Sequence, residues 1–140
     1  MSDIDILART IYGEARGEGR KGMEAVAFVV INRFRARKWF TGYAWENGIQ
    51  KPSVAKTCLK RFQFSCWNKN DPNFWKIRLV TTEDNVFCEC LKIAEQAIAG
   101  ELKDFTGGAV FYHAKSIKPK WAENKKPCIK IGNHLFYREE

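Results

Sequence analysis

The order of hydrophobic periods along this 140-residue chain predicts an α+β fold, with helices first and a small antiparallel sheet last. Two observations carry that expectation. Apolar residues recur with the 3.6-residue period of helices as far as Gly100, and the last third changes to short β-like runs around a Gly-Asn pair. Strands and helices nowhere alternate as a parallel sheet would require. No Walker or dinucleotide glycine motif is present, so a nucleotide cofactor is not expected.

The first helix is read from Ile4, Leu7, Ala8, Ile11, Tyr12 and Ala15, with Asp3 or Asp5 available to cap it. Gly17-Glu18-Gly19, followed by Gly22, reads as a turn. A second helix is expected from about Met23 to Arg37, and its stretch Ala25-Val26-Ala27-Phe28-Val29-Val30-Ile31 is apolar all round, the mark of a core helix. Residues 39–82 are the least regular third, with Pro52, Pro72 and aromatic side chains that include Trp39, Phe62, Phe64, Trp67 and Trp75. Loops this aromatic must cover something. A third helix begins near Thr82, with Glu83 and Asp84 in its first turn, and ends at Gly100. Ala109–His113 is strand-like, and Cys128–Ile131 and His134–Tyr137 flank Gly132-Asn133 as a hairpin.

Length and composition bound the function. One domain spanning 1–140 is expected, with 45% hydrophobic and 29% charged residues, and no run is apolar enough to span a membrane. The N-terminus lacks the basic and small-residue features of a signal peptide, so synthesis in the cytoplasm is expected. Lys and Arg exceed Asp and Glu by 24 to 16, a net charge of +8 that favours polyanionic surroundings. The basic residues are scattered, and no helix-turn-helix, zinc-finger or RNA-recognition signature accompanies them, so nucleic acid is not the expected partner. Five cysteines without zinc-knuckle spacing read as free thiols.

Among groups capable of chemistry, Glu14 stands out. On an ideal helix it lies at about 280° against about 340° for Ile11, on the border of the apolar stripe. Partial desolvation there favours a protonated carboxyl, as a general acid requires. The alternative is a solvated helix-end glutamate paired with Arg9, Arg16 or Arg20. Glu18 is a possible second carboxylate, an i, i+4 neighbour of Glu14 if the helix continues past Gly17. His113 and His134 are read as structural histidines, since no third ligand with metal spacing is visible and no metal is expected. Ser65 and the cysteines lack a nucleophile-elbow context.

Ile11-Tyr12-Gly13-Glu14-Ala15-Arg16-Gly17-Glu18, then Gly22 and Ala25 to Arg33, resembles the opening signature of the SleB-type cell wall hydrolases, a spore-cortex-lytic family with many phage members. Gln63-Phe64-Ser65-Cys66-Trp67 resembles the family's Gln-Phe-Ser segment, and Gly108 to Ala114 its Tyr-His strand. Trp121 followed by Ile131 to Tyr137 is similar to its closing hairpin. Four motifs in family order cover nearly the whole chain. The resemblance implies a lysozyme-like fold and cleavage of the β-1,4 bond between N-acetylmuramic acid and N-acetylglucosamine in peptidoglycan, without a cofactor. It places the catalytic acid on Glu14 and sets Gln63, Ser65, Tyr112, His113 and His134 at positions lining the glycan groove. Glycan strands and anionic envelope polymers are the implied partners of a monomer. The missing export signal and wall-binding domain match a phage endolysin that reaches the wall on lysis. Lytic transglycosylation needs one carboxyl, whereas hydrolysis would call on a partner such as Glu18, Asp71 or Asp104. A non-catalytic peptidoglycan-binding module is the alternative.

Overall fold

Helix α1 (Asp3–Ala15) occupies the centre of the molecule because its apolar stripe has neighbours on every side. In this computed structural model, which describes residues 2–139, Leu7, Ala8 and Ile11 are wholly buried. They pack against α2 (Gly19–Ala36) and α5 (Asn85–Ala99), and the short helices α3 (Val54–Leu59) and α4 (Phe74–Leu79) close the remaining sides. Each such Leu or Ile contributes about 1.5–3 kcal/mol by leaving water. The expected α+β order is observed, with helices leading and a three-stranded antiparallel sheet closing the chain.

That sheet has the order β3-β5-β4, formed by β3 (Phe111–Ala114), β4 (Ile129–Ile131) and β5 (His134–Tyr137). The Gly132-Asn133 turn sets its register, pairing Tyr112 with Phe136 and Ile129 with Phe136 on either side of the central strand. Ala25 and Val29 on the back of α2 pack against Ala109, Ile131 and Phe136, which fixes the sheet to the helical part. The all-apolar stretch of α2 is therefore covered on both faces, as its composition predicts.

Several boundaries depart from expectation. Ser2, not Asp3 or Asp5, caps α1 by accepting from Asp5 N at 3.1 Å. Asp3 instead accepts from Ala55 N and Asp5 pairs with Arg9. Helix α2 starts at Gly19 rather than near Met23, so Gly22 lies inside it. A Cβ at Gly22 would sit 2.4 Å from the Glu18 Cβ, so the glycine there makes room for a side chain and does not break the helix. Asp84 is the cap of α5 and not part of its first turn, accepting from Val86 N and Phe87 N. The middle third holds an unexpected hairpin, β1 (Tyr43–Glu46) with β2 (Ile49–Pro52), around Asn47-Gly48. Both turn residues have positive φ, 52° and 78°, as a type I′ turn demands.

Side chains of α1 hold the irregular middle third in place. The Trp67 indole donates to Thr10 Oγ1 at 2.9 Å, and Arg9 donates to the carbonyls of Ile77 and Val80 at 2.6 and 3.1 Å. Those bonds bring the Gln63–Trp67 segment and Asn73 to the C-terminal end of α1, where Glu14 lies. None of the five cysteines is bonded to another, and Cys58, Cys66 and Cys90 are buried. Among the described residues no helix is long and apolar enough to cross a membrane.

Candidate active site

Glu14 sits one residue before the end of α1, half-buried, where the helix meets strand β3. None of the arginines considered as its partners pairs with it. Arg9 is bound to Asp5, Arg20 to Glu24 and Glu89, and Arg16 donates to Tyr12 O and Asn73 Oδ1. Glu14 Oε1 instead accepts a short hydrogen bond from the Tyr112 hydroxyl. Burial, and then the adjacent Glu14 charge, push the Tyr112 phenol well above its usual range. Tyr112 therefore keeps its proton and is a fixed donor to Glu14.

Beside this pair lies Cys66, whose thiol is pushed far up by burial and by the Glu14 carboxylate, so it stays protonated and is no nucleophile. Arg33 lies beneath Tyr112. It is only 5% exposed, donating from Nε to Val110 O at 2.6 Å and from Nη1 to Gln63 Oε1 at 3.0 Å, with its guanidinium over the Phe64 ring. Burial lowers it to about 10 against the favourable charge of Glu14, which still leaves it cationic at neutral pH.

Two hollows meet at the Glu14–Tyr112 pair. One, of about 490 Å³, is walled by Trp39, Phe62, Phe111 and Trp121, with Arg33, Gln63, Tyr112 and Lys125 among its polar groups. The other, of about 300 Å³, is lined by Glu14 itself, the α1–α2 turn, Asn73, Glu18 and His134. Tyr112 lines the first hollow and Glu14 the second, so the hydrogen-bonded pair stands between them.

Glu18 is engaged elsewhere. Helix α1 ends at Ala15, and Glu18 turns to the hairpin, where it accepts from Asn133 N at 2.8 Å and from Asn133 Nδ2 at 3.2 Å. These bonds, led by the backbone one, outweigh burial and lower its carboxyl below the usual value, so it is ionised. A Cβ on Gly132, whose φ is +55°, would come within 2.6 Å of Glu18 Oε1. The clamp thus requires glycine on both sides, at 22 and at 132. His134 Nδ1 lies 3.8 Å from Glu18 Oε1, too far for a hydrogen bond, and burial lowers the His134 pKa despite the nearby Glu18 and Glu14 charges.

The other expected groove residues divide. Gln63, Tyr112 and His134 line the two hollows. His113 stands behind them, bonded to Tyr137 Oη and Ala114 O at 2.8 Å each and packed edge-on against Trp121. Ser65 is exposed and lines neither hollow. Asp71 caps a turn through Asn73 N. Burial of Asp104 is outweighed by hydrogen bonds from Thr106, Asn32 and Gly108, which keep it ionised as a structural acceptor. Sequence reading passed over Arg33 and Asn73 as site residues, and read Lys125 only as part of a basic Lys125-Lys126 cluster. A signal existed for Arg33, which lies four residues after Val29 on the buried face of α2.

Comparison with known proteins identifies the fold and the family. The chain is 28% identical to the catalytic domain of the Bacillus cereus SleB protein, with a TM-score of 0.70 over 97% of this chain and 89% of that one. It is 27% identical to the catalytic domain of the germination-specific lytic transglycosylase SleB from Bacillus anthracis, with a TM-score of 0.69 over 97% and 93%. The spore cortex-lytic enzyme of Bacillus cereus is 24% identical over 139 residues, covering 97% of this chain and 44% of the relative. The chain thus spans less than half the length of that curated relative. The profile described as Cell Wall Hydrolase matches residues 17–137. With the family match spanning residues 17–137 and the fold shared over 97% of its length, the chain belongs to the cell wall hydrolase family.

Proposed function

We propose that this protein cleaves the β-1,4 bond between N-acetylmuramic acid and N-acetylglucosamine in peptidoglycan, with Glu14 as the sole catalytic acid and base. The observation that carries the reading is the Glu14 carboxyl at the junction of two hollows, held by the un-ionised Tyr112 hydroxyl. The matched family span begins at Gly17, so the role of Glu14 rests on this geometry and on the sequence motif.

Lytic transglycosylation is the form of the reaction the site favours. Glu14 gives its proton to the glycosidic oxygen as that bond breaks, and the muramoyl 6-hydroxyl closes on the anomeric carbon. The hydroxyl proton returns to Glu14, leaving a 1,6-anhydro end and a regenerated acid. Hydrolysis would ordinarily need a second carboxylate at about 5 Å for retention or about 6.5–9.5 Å for inversion. Glu18 is the other acid of the same hollow, and Asn133 already occupies its oxygens, which argues against a nucleophilic role. Action on the wall after release from the cell that makes it, in the manner of an endolysin, belongs to the same proposal.

Mass spectrometry of purified peptidoglycan digested with wild-type protein and with Glu14→Gln tests this reading. Ends in 1,6-anhydromuramic acid from wild type alone are expected. Reducing-end muramic acid would make the enzyme a muramidase, and no new ends would move a non-catalytic wall-binding role to first place.

A further inference from the structure

Apart from Glu139, the polar groups of the hollow on the Trp121 side are hydrogen-bond donors. Arg33 can only donate, so Gln63 must turn its amide oxygen toward it, which leaves the Gln63 NH2 group for the hollow. Among the described residues no carboxylate lies within ion-pair distance of Arg33 or of Lys125. Lys125 is half-buried on the wall, its ammonium 5.7 Å from the centre of the Phe111 ring. The one acid of the hollow, Glu139, lies 3.5 Å from Lys38 Nζ. A buried cation and a half-buried one both face aromatic walls, and neither is in a close ion pair, Glu14 acting on Arg33 only from further off.

We propose that this hollow is a carboxylate-binding subsite, seating an anionic substituent of the glycan against Lys125 Nζ and the Gln63 amide with the Arg33 charge beneath. The inference rests on peptidoglycan being the substrate and adds which part of it is recognised. Two sources supply the same chemistry. One is the free lactyl carboxylate of peptide-free muramic acid, and the other is a carboxylate of an attached stem peptide. Neutral N-acetylglucosamine polymers offer neither.

The test measures binding by tryptophan fluorescence and calorimetry on protein carrying Glu14→Gln, with and without Lys125→Met. Methionine keeps an aliphatic chain over Phe111 and removes the charge. The ligands are peptide-free muramoyl oligomers, the same oligomers with their carboxyl converted to the methylamide, and peptide-bearing oligomers. Lys125→Met is expected to weaken a carboxylate-bearing ligand by roughly tenfold, the size of one charge-assisted hydrogen bond, and to leave the methylamide unchanged. Whichever anionic ligand loses affinity identifies the source. Equal weakening of the methylamide, or no weakening of either anionic ligand, overturns the proposal. Cleavage is read separately on protein with Glu14 intact, so failure of the catalytic reading and failure of the subsite give different results.

Discussion

The two hollows that meet at Glu14 are built from opposite materials. On the Trp121 side the walls are aromatic rings from four separate segments, and the polar groups other than Glu139 are donors. On the Asn73 side the walls are backbone from the α1–α2 turn, with Glu18 and His134, and the rings are absent. The first hollow suits grip, since ring faces and unpaired cations hold a sugar and its charged substituents. The second suits proton traffic beside a rigid wall, because the Glu18–Asn133 clamp locks the α1–α2 turn to the sheet. In the proposed function one carboxyl between them serves both, a division of binding from chemistry that substitutions can break.

The largest effect is expected at the junction. Glu14→Gln, nearly isosteric but unable to donate the proton, should lower glycan cleavage by about 10²- to 10⁴-fold while the fold and the binding of oligomers persist. Cleavage assays beside thermal melts check this, and near-native rates would remove Glu14 from the mechanism. Tyr112→Phe deletes the hydroxyl that orients Glu14 and should cost about tenfold in rate. Its signature is a fall in kcat with little change in KM, whereas a loss confined to KM would assign Tyr112 to binding alone.

The clamp predicts a smaller change, in stability and not in chemistry. Glu18→Gln should cost about 1 kcal/mol at neutral pH, measured by urea unfolding. Because the folded carboxyl of Glu18 is shifted down, its contribution is full above the ordinary carboxylate range and drains away as pH falls through its folded value. The difference between wild type and Glu18→Gln should therefore shrink in acid. A difference that stayed constant with pH would deny the charge any role. The smallest effect is expected at exposed lysines that line neither hollow. Lys126 and Lys130 are exposed, and reversing both to Glu should slow lysis of intact walls a few-fold at low salt and hardly at all at high salt. Equal slowing at both would count against electrostatic steering.

Much of this site can be read before folding, and the limits of that reading follow from particular residues. Glu14 is legible because helical geometry alone places it at the edge of an apolar stripe. The Asn47-Gly48 hairpin carried a legible turn signal, and the strands around it are only four residues each and largely exposed. The role of Glu18 was not legible, because its partner Asn133 lies 115 positions away and only the closed fold brings them together. Arg33 reads as one more basic residue in a basic chain until α2 is buried on both sides.

By itself the sequence determined what local rules can set: the α1 and α5 helices, the apolar α2, the Gly-Asn turn and the carboxyl at the stripe's edge. Only the tertiary structure decided that Tyr112 meets Glu14, that Glu18 accepts from Asn133 at the hairpin, and that Arg33 underlies the hollow walled by Trp39, Phe62, Phe111 and Trp121. Periodicity and turn chemistry act over a few residues, so they are written into neighbouring positions. Hydrogen bonds and unpaired charges across the groove depend on which distant segments exclude water together, and no short stretch of chain encodes that.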